Sequence, residues 1–596
     1  MDAMSERRGI FGRRRGDDGP RASVRELLPY LFPKKGLLAG AIVLSVLGAA
    51  FSLAQPALAQ ELIARVERSE PLAWLPLLLL VIVVVGAVLD GFQHFLLQVL
   101  GEHVVLRTRR TLVGSLLRLP IAEFDARRVG DLVSRVGSDT TLLRAVLTQG
   151  LVESIGGLLT LVGAVIAMLV IDPLLLGLTV LVLGVAIAAM LAVMPLLTRA
   201  SGRAQEQVGH LTSALERAIS AVRTVRAAGA TEREARAIGD RAGDAFAAGV
   251  GVARISALVV PIFGVAMQLA FLVVLGVGGL RVATGEIGIA QLVGFLLFLF
   301  LMIMPLGQLA GAISAVSVAL GALGRIQEIV RLPSETDADA RVALEPRPGA
   351  PMVAFEDVAF AYPSSPDRPV LEGVSFAVPA GTRTAIVGPS GAGKSTAFAL
   401  VERFYDADAG RVLVGGEDVR DVDRASLRSR IGYVEQDAPV LAGSLRDNLL
   451  LGAPDATDEQ LLAALESVNL GELVRRAEDG LGAEVGEGGV LLSGGERQRL
   501  AIARALLAAT PILLLDESTA NLDARNEASL KLALDVASEG RTTLVIAHRL
   551  ATVVDADQIV VLEAGRVLAT GTHAELLETS PLYRELAAHQ LLAPAA

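Results

Sequence analysis

The sequence predicts two unlike halves in one chain: an all-α half crossing a membrane six times, with long cytoplasmic helical extensions, then an α/β phosphate-loop domain. Two observations carry this. Six runs in the first half are apolar and long enough to cross a bilayer, which needs about 20 residues. In the second half an apolar run, Ala385–Val387, enters the glycine-rich turn Gly388-Pro-Ser-Gly-Ala-Gly-Lys-Ser395, and helix formers such as Ala397 and Leu400 follow. Hydrophobic residues make up 52% of the 596, too many for an ordinary soluble enzyme. That length exceeds what one hydrophobic core supports.

Residues 1–28 form a basic tail, with Arg7, Arg8 and Arg13 to Arg15 set among Gly and Asp. With no apolar stretch beside them, they read as a flexible cytoplasmic tail near anionic lipid or as plain disorder, not as a cleaved signal. The membrane domain is expected over 29–331. Its runs are Leu37–Ala59, Leu72–Leu89, Ser154–Ile171, Leu174–Leu197, Ile255–Leu280 and Ile287–Gly324. The last two exceed about 25 residues, so they must tilt or leave the membrane.

Short links join the runs in pairs, whereas Val99–Glu153 and Thr198–Arg254 are long, charged and helix-favouring. These hold Arg107, Arg109, Arg110, Arg127 and Arg128 in one, and Arg199, Arg217, Arg223 and Arg226 in the other. Arginines crowded beside span ends mark the cytoplasmic side. The expected protein is therefore multi-pass in the cytoplasmic membrane, with its N-terminus and second half inside. Each long connection reads as two extended helices joined by a short transverse element, near Phe124–Arg135 and near Val222–Thr231.

Three patterns within the spans invite expectations. Asp90, His94, Gln98 and Glu102 step by four along span two, so they are expected as one stripe. It either lines an inward-facing vestibule for cationic amphiphiles or pairs with arginines on neighbouring helices. Gly307, Gly311, Ala315 and Ala319 give span six a small-residue face suited to close packing. Met267, Met302 and Met304, with Phe271, Phe295 and Phe298, either line a pliable apolar cavity or pack and face lipid.

A polar, Pro-rich linker, 332–351, separates the membrane domain from a second domain over 352–596, where short apolar strands alternate with helices. In the turn after Val387, Gly388, Gly391 and Gly393 let the backbone curl so that N–H groups, with Ser390 and Thr396 nearby, form an anion nest at a helix N-terminus. Lys394 is placed to reach the β- and γ-phosphates, and the Ser395 hydroxyl to join a Mg²⁺ shell. The implied ligand is a nucleoside triphosphate. Ile512–Asp516 is a buried strand followed by Glu517; Asp516 suits a water-mediated hold on Mg²⁺, and Glu517 suits polarising an attacking water. Ser493-Gly494-Gly495-Glu496 opens an Ala-rich helix, a second anion-binding terminus that one ATP does not need from one chain.

At that point the chain resembles an ATP-binding cassette (ABC) transporter of the exporter half-transporter layout, similar to bacterial multidrug and lipid A exporters, with its signature at Leu492–Glu496. In that family two cassettes dimerise head to tail, each ATP held between one phosphate loop and the other chain's signature. The resemblance covers Pro29 to about Gln590. It implies ATP and Mg²⁺, and a second copy or a related half-transporter as partner. It also assigns Tyr362 to stacking on adenine, and Gln436 to the loop that senses the γ-phosphate and contacts the membrane domain, with Gln436 a catalytic and Mg²⁺-binding residue as well. Ala520–Asp523 becomes the loop that crosses to the other cassette, and His548 the switch histidine. The sequence departs from the usual exporter pattern at Glu496, where Gln is common, and at Glu435, where Pro is common. It also lacks an Arg after Glu484.

The function implied is ATP-driven outward export of hydrophobic or amphipathic molecules by alternating access. A dedicated lipid or peptide exporter, one half of a heterodimer, and an ATP-gated channel or sensor stand as alternatives. The net charge of −10 argues against nucleic acid as a partner, and the absence of cysteine excludes thiolate chemistry.

Overall fold

The computed structural model describes residues 22–591 apart from 24, 27–28, 30–33, 73, 147–151, 338, 341, 517–531 and 548–552. These fall into two compact units. One holds the chain up to Val113 together with Ser134–Val330; the other holds Gly114–Val133 and everything from Arg331 onward.

The first unit is all helix. Among the described residues, six helical stretches are long and apolar enough to cross a membrane. α1 (Lys35–Glu67) and α2 (Leu75–Leu116) run well past their apolar stretches. The chain continues through α3 (Ile121–Ala126) and α4 (Val129–Ser134), whose residues up to Val133 belong to the second unit. A π-turn, Arg135–Asp139, and α5 (Thr140–Ala145) lead back towards α6 (Val152–Ile171).

α6 and α7 (Pro173–Ser220) are separated by a single residue, and local chemistry explains the sharp reversal. Pro173 stands at the first helical position, where its missing N–H costs nothing. Asp172 caps the helix, accepting from the N–H groups of Leu174 at 2.9 Å and Leu175 at 3.1 Å. Its other oxygen accepts from Arg281 Nε at 2.5 Å, and Asp172 is 1% exposed. Without that partner the buried carboxylate would be strongly destabilising.

The two over-long runs are each broken, and proline sits just beyond each break. α9 (Thr231–Ser256) follows the short α8 (Val222–Ala227) and stops before α10 (Val259–Ala283), whose first turn contains Pro261. Likewise α11 (Ile289–Leu301) gives way at Met302 to α12 (Ile303–Val330), which contains Pro305. Pro305 lacks the N–H that would bond the carbonyl of Leu301, so the ladder of the sixth run loses a rung at this break. Phe295, Phe298 and Met302 pack with Met168, Leu175 and Val274 into the core of this unit. They fill the bundle core.

The second unit contains two sheets. β1 (Val353–Ala361), β2 (Pro369–Val378), β4 (Ala409–Val414) and β5 (Glu417–Asp418) form an antiparallel sheet in the order β2-β1-β4-β5. The larger sheet runs β10-β9-β3-β8-β7-β6. Its strands are β3 (Arg383–Val387), β6 (Ile431–Val434), β7 (Ile512–Asp516), β8 (Thr542–Ile546), β9 (Gln558–Glu563) and β10 (Arg566–Gly571). All pairings in it are parallel except β9 with β10.

Register aligns the strand ends. Ile386 pairs with Ile546, Asp516 with Ile546, and Val434 with Leu515. Loops leaving β3, β6, β7 and β8 therefore start at one edge, where ligands of open parallel sheets bind. The segment read as a linker is pinned to its own unit. Glu335 holds Arg428 at 2.7 Å, Asp339 pairs with Arg424, and Leu344 is 1% exposed.

Candidate functional site

The phosphate loop follows β3 and ends in α13 (Lys394–Val401). Two of its glycines are there because nothing larger fits. A Cβ on Gly388 would lie 2.0 Å from the carbonyl oxygen of Leu562; one on Gly393 would meet Leu371 Cδ2 at 2.5 Å. Both also have positive φ, 155° and 97°. Gly391, also at positive φ, faces open space, and Ser390 and Ser395 are exposed beside it. The loop is thus clamped at its ends and open in the middle.

Lys394 is 6% exposed and bends over the loop, donating to the carbonyls of Gly388 and Pro389 at 2.9 Å each. Burial lowers its pKa, and Asp516 works against that shift. Ser395 Oγ donates to Asp516 Oδ2 at 3.1 Å, which joins the loop to the end of β7. A hydroxyl and a carboxylate meeting there are hard oxygen donors, the class Mg²⁺ takes. Gln436 is exposed two residues past β6. Before it, Glu435 is pushed up by burial, with Arg504 opposing and Asp437 and Asp516 adding to the rise.

Tyr362 bonds Thr396 Oγ1 through its hydroxyl at 3.0 Å. Its ring meets Phe360 and Tyr405 edge-on, centroids 5.1 and 5.2 Å away. Tyr405 in turn donates to Asp125 of α3. Burial and that carboxylate drive the phenol far above its usual range. Neither Tyr405 nor Asp125 was identified from sequence. The available signal was the position of Asp125 inside the expected transverse element.

The signature opens α14 (Gly494–Ala508). Ser493 and Glu496 form a reciprocal capping box: Ser493 N and Oγ both donate to Glu496 Oε2 at 2.8 Å, and Glu496 N donates to Ser493 Oγ at 3.3 Å. Burial would raise Glu496, but the two Ser493 bonds, with Arg476, hold it below its ordinary value. The Glu at this position therefore keeps Ser493, Gly494 and Gly495 in place. Among the described residues no hydrogen bond joins this terminus to the phosphate loop. Glu517, Asp523 and His548 lie outside the described residues. β8 carries the chain to Ala547, whose N–H donates to Ile386 at 3.2 Å, one residue before His548.

In the membrane unit the expected stripe divides. Asp90 opens on a cavity of about 780 Å³, whereas Glu102 pairs with Arg144 at 2.6 Å, and His94 bonds Gln98 at 3.4 Å. Four residues advance a helix by 400°, a drift of about 40° per step, so such a stripe cannot stay on one face.

Comparison with known proteins agrees with this geometry. The ABC transporter transmembrane region family matches residues 38–306, and the ABC transporter family matches residues 371–520. A multidrug resistance ABC transporter ATP-binding and permease protein of Lactococcus lactis is 32% identical, over 94% of each chain. ABC transporter B family member 1 of Dictyostelium discoideum is 32% identical over 96% of this chain, which spans 63% of that longer protein. A bacterial Atm1-family ABC exporter solved with ATP bound is 28% identical, covering 94% of this chain and 99% of its own, with a TM-score of 0.78. With both family regions in one multi-pass chain, and a relative matched over 94% of each chain, this protein belongs to the ABC transporter family, whose cassette hydrolyses ATP to drive transport.

Proposed function

We propose that this chain pairs with a second copy of itself, or with a related half-transporter, and exports hydrophobic or amphipathic molecules outward across the cytoplasmic membrane. One observation carries the reading. The signature terminus is held by a reciprocal capping box, yet it makes no hydrogen bond to the phosphate loop of its own chain among the described residues. An intact anion-binding helix end held apart from the anion site suits an ATP presented by another chain.

In that reading Gly388, Ser390, Gly391, Gly393, Lys394 and Thr396 hold the phosphates, and Tyr362 receives the adenine. Ser395, Asp516 and Gln436 would hold Mg²⁺, which neutralises charge on the phosphates when bound. Ser493 to Glu496 of the opposite chain complete the site, with Asp523 at the crossing. Glu517 accepts a proton from the attacking water, and His548 steadies the γ-phosphate. Closure of the cassettes then drives the membrane helices from inward- to outward-facing.

Glu517→Gln is expected to cut steady-state ATP hydrolysis by about a hundred-fold or more, while ATP binding persists and the closed state is trapped. Lys394→Ala should instead weaken ATP binding itself. ATPase rates with nucleotide titrations of both variants provide the check. Unchanged hydrolysis in Glu517→Gln would overturn the base assignment.

A further inference from the structure

The cavity of about 780 Å³ in the membrane unit is large enough for a drug-sized ligand, and its walls are of two kinds. Leu79, Val83, Leu297 and Phe300 supply apolar surface. Opposite in character are three glutamines, Gln55, Gln93 and Gln308, and a single charged group, Asp90.

The glutamines come from three helices and each lies beside a glycine of a neighbouring helix, but only Gln308 occupies room that a side chain would need. A Cβ on Gly48 of α1 would come within 3.9 Å of Gln93 Oε1 on α2; one on Gly86 of α2 would come within 3.9 Å of Gln55 Nε2 on α1. A Cβ on Gly157 of α6 would meet Gln308 Oε1 at 2.9 Å. Neutral amides at three places around the cavity offer carbonyl oxygens without bringing any cation to Asp90.

Asp90 itself stands about 22 Å along α2 from Leu75, after an uncharged stretch, and so at the depth of the inner leaflet. It is exposed to the cavity, and among the described residues it makes neither an ion pair nor a hydrogen bond. The other carboxylate of the stripe, Glu102, does have an arginine. A carboxylate within the membrane is costly, and an unpaired one most of all, unless it faces water or a ligand that pairs with it.

We infer that Asp90 is the specificity residue of this cavity, and that the cavity selects amphipathic organic cations, whose charge pairs with Asp90 while their apolar body lies on Phe300 and the aliphatic wall. The inference rests on the export reading and narrows it to a substrate class. The glutamine carbonyls add dipoles to a bound cation, and the face of Phe300 is available to it as well. An anion of equal size would meet the carboxylate in a site of low dielectric and be rejected.

The test uses two probes of nearly the same shape and opposite charge, tetraphenylphosphonium and tetraphenylborate. Binding is titrated without ATP to the full-length protein in lipid nanodiscs, for wild type, Asp90→Asn and Asp90→Glu. Wild type should bind the cation at least ten-fold more tightly than the anion. Asp90→Asn should lose about ten-fold in cation affinity at unchanged thermal stability, and Asp90→Glu should restore most of it. Equal affinity of wild type for both probes, or wild-type cation affinity in Asp90→Asn, would overturn the assignment. So would a loss that Asp90→Glu fails to repair. ATP-driven accumulation of a neutral hydrophobic dye in inverted vesicles judges the export reading separately. A wild type that moves the dye but shows no cation preference refutes the role of Asp90 alone.

Discussion

Glu402, at the C-terminal end of the phosphate-loop helix, has its carboxyl pushed up to about 7 by burial, with Arg428 opposing and Glu435 adding to the rise. In the unfolded chain the same group ionises near its ordinary 4.5. Between those values the folded chain keeps a proton that the unfolded chain has released. Stability from this group is therefore complete below about 4.5, falls as pH rises to about 7, and is level above that. Thermal unfolding of the full chain at pH 5 and at pH 7.5 should show the cassette transition dropping in wild type. In Glu402→Gln, which cannot ionise, the drop should shrink by a few degrees. An identical drop in the variant would assign the pH dependence elsewhere. Nothing in the sequence around Glu402 announces this behaviour, because it comes from 6% exposure and not from a motif. The phosphate-loop residues were legible for the opposite reason. Close backbone approach at Gly388 and Gly393, and a lysine folded over carbonyls, tolerate so few residue types that spacing alone reveals them.

At the scale of elements, the sequence located the six spans and the transverse segments but misjudged which helix faces meet. Both stripes read with a spacing of four drift around their helices. Ala315 and Ala319 are buried, but a Cβ on Gly307 or Gly311 would meet nothing within 4 Å. Tight approaches lie on other helices instead, at Gly278 of α10, at Gly294 of α11 and along α6. There a Cβ on Gly163 would strike Leu53 Cδ1 at 2.3 Å, and one on Gly156 would lie 2.5 Å from Ser45 Oγ. Gly163→Leu should therefore cost folded yield and lower the melting temperature by several degrees, as overpacking does. Gly311→Leu should leave the fold of the single chain intact. Comparing melting curves and monodisperse yield of the two variants decides between them. Equal damage at both would mean that Gly311 is covered by something beyond this chain. The helix breaks at Met302 and before Val259 were legible only in part. Pro305 and Pro261 mark them, yet runs free of charge conceal where one helix ends.

At the scale of the whole molecule, one chain carries one phosphate loop and one signature, and the reading proposed above requires them to be shared between two chains. Complementation tests that sharing directly. A Lys394→Ala chain has a crippled phosphate loop and a sound signature; a Ser493→Arg chain has the reverse defect. Homodimers of either are dead under any arrangement. In a mixed dimer built head to tail, the sound loop of one chain faces the sound signature of the other, so one complete site reappears. If each chain instead used its own loop with its own signature, every site in the mixture would keep one defect. With equal amounts and random pairing, half the dimers are mixed and each has one of two sites restored. Tight retention of ATP, which needs only one complete site, should thus recover to about a quarter of wild type. Retention no higher than in either parent, with mixed dimers verified by differential tags, would rule out the shared site.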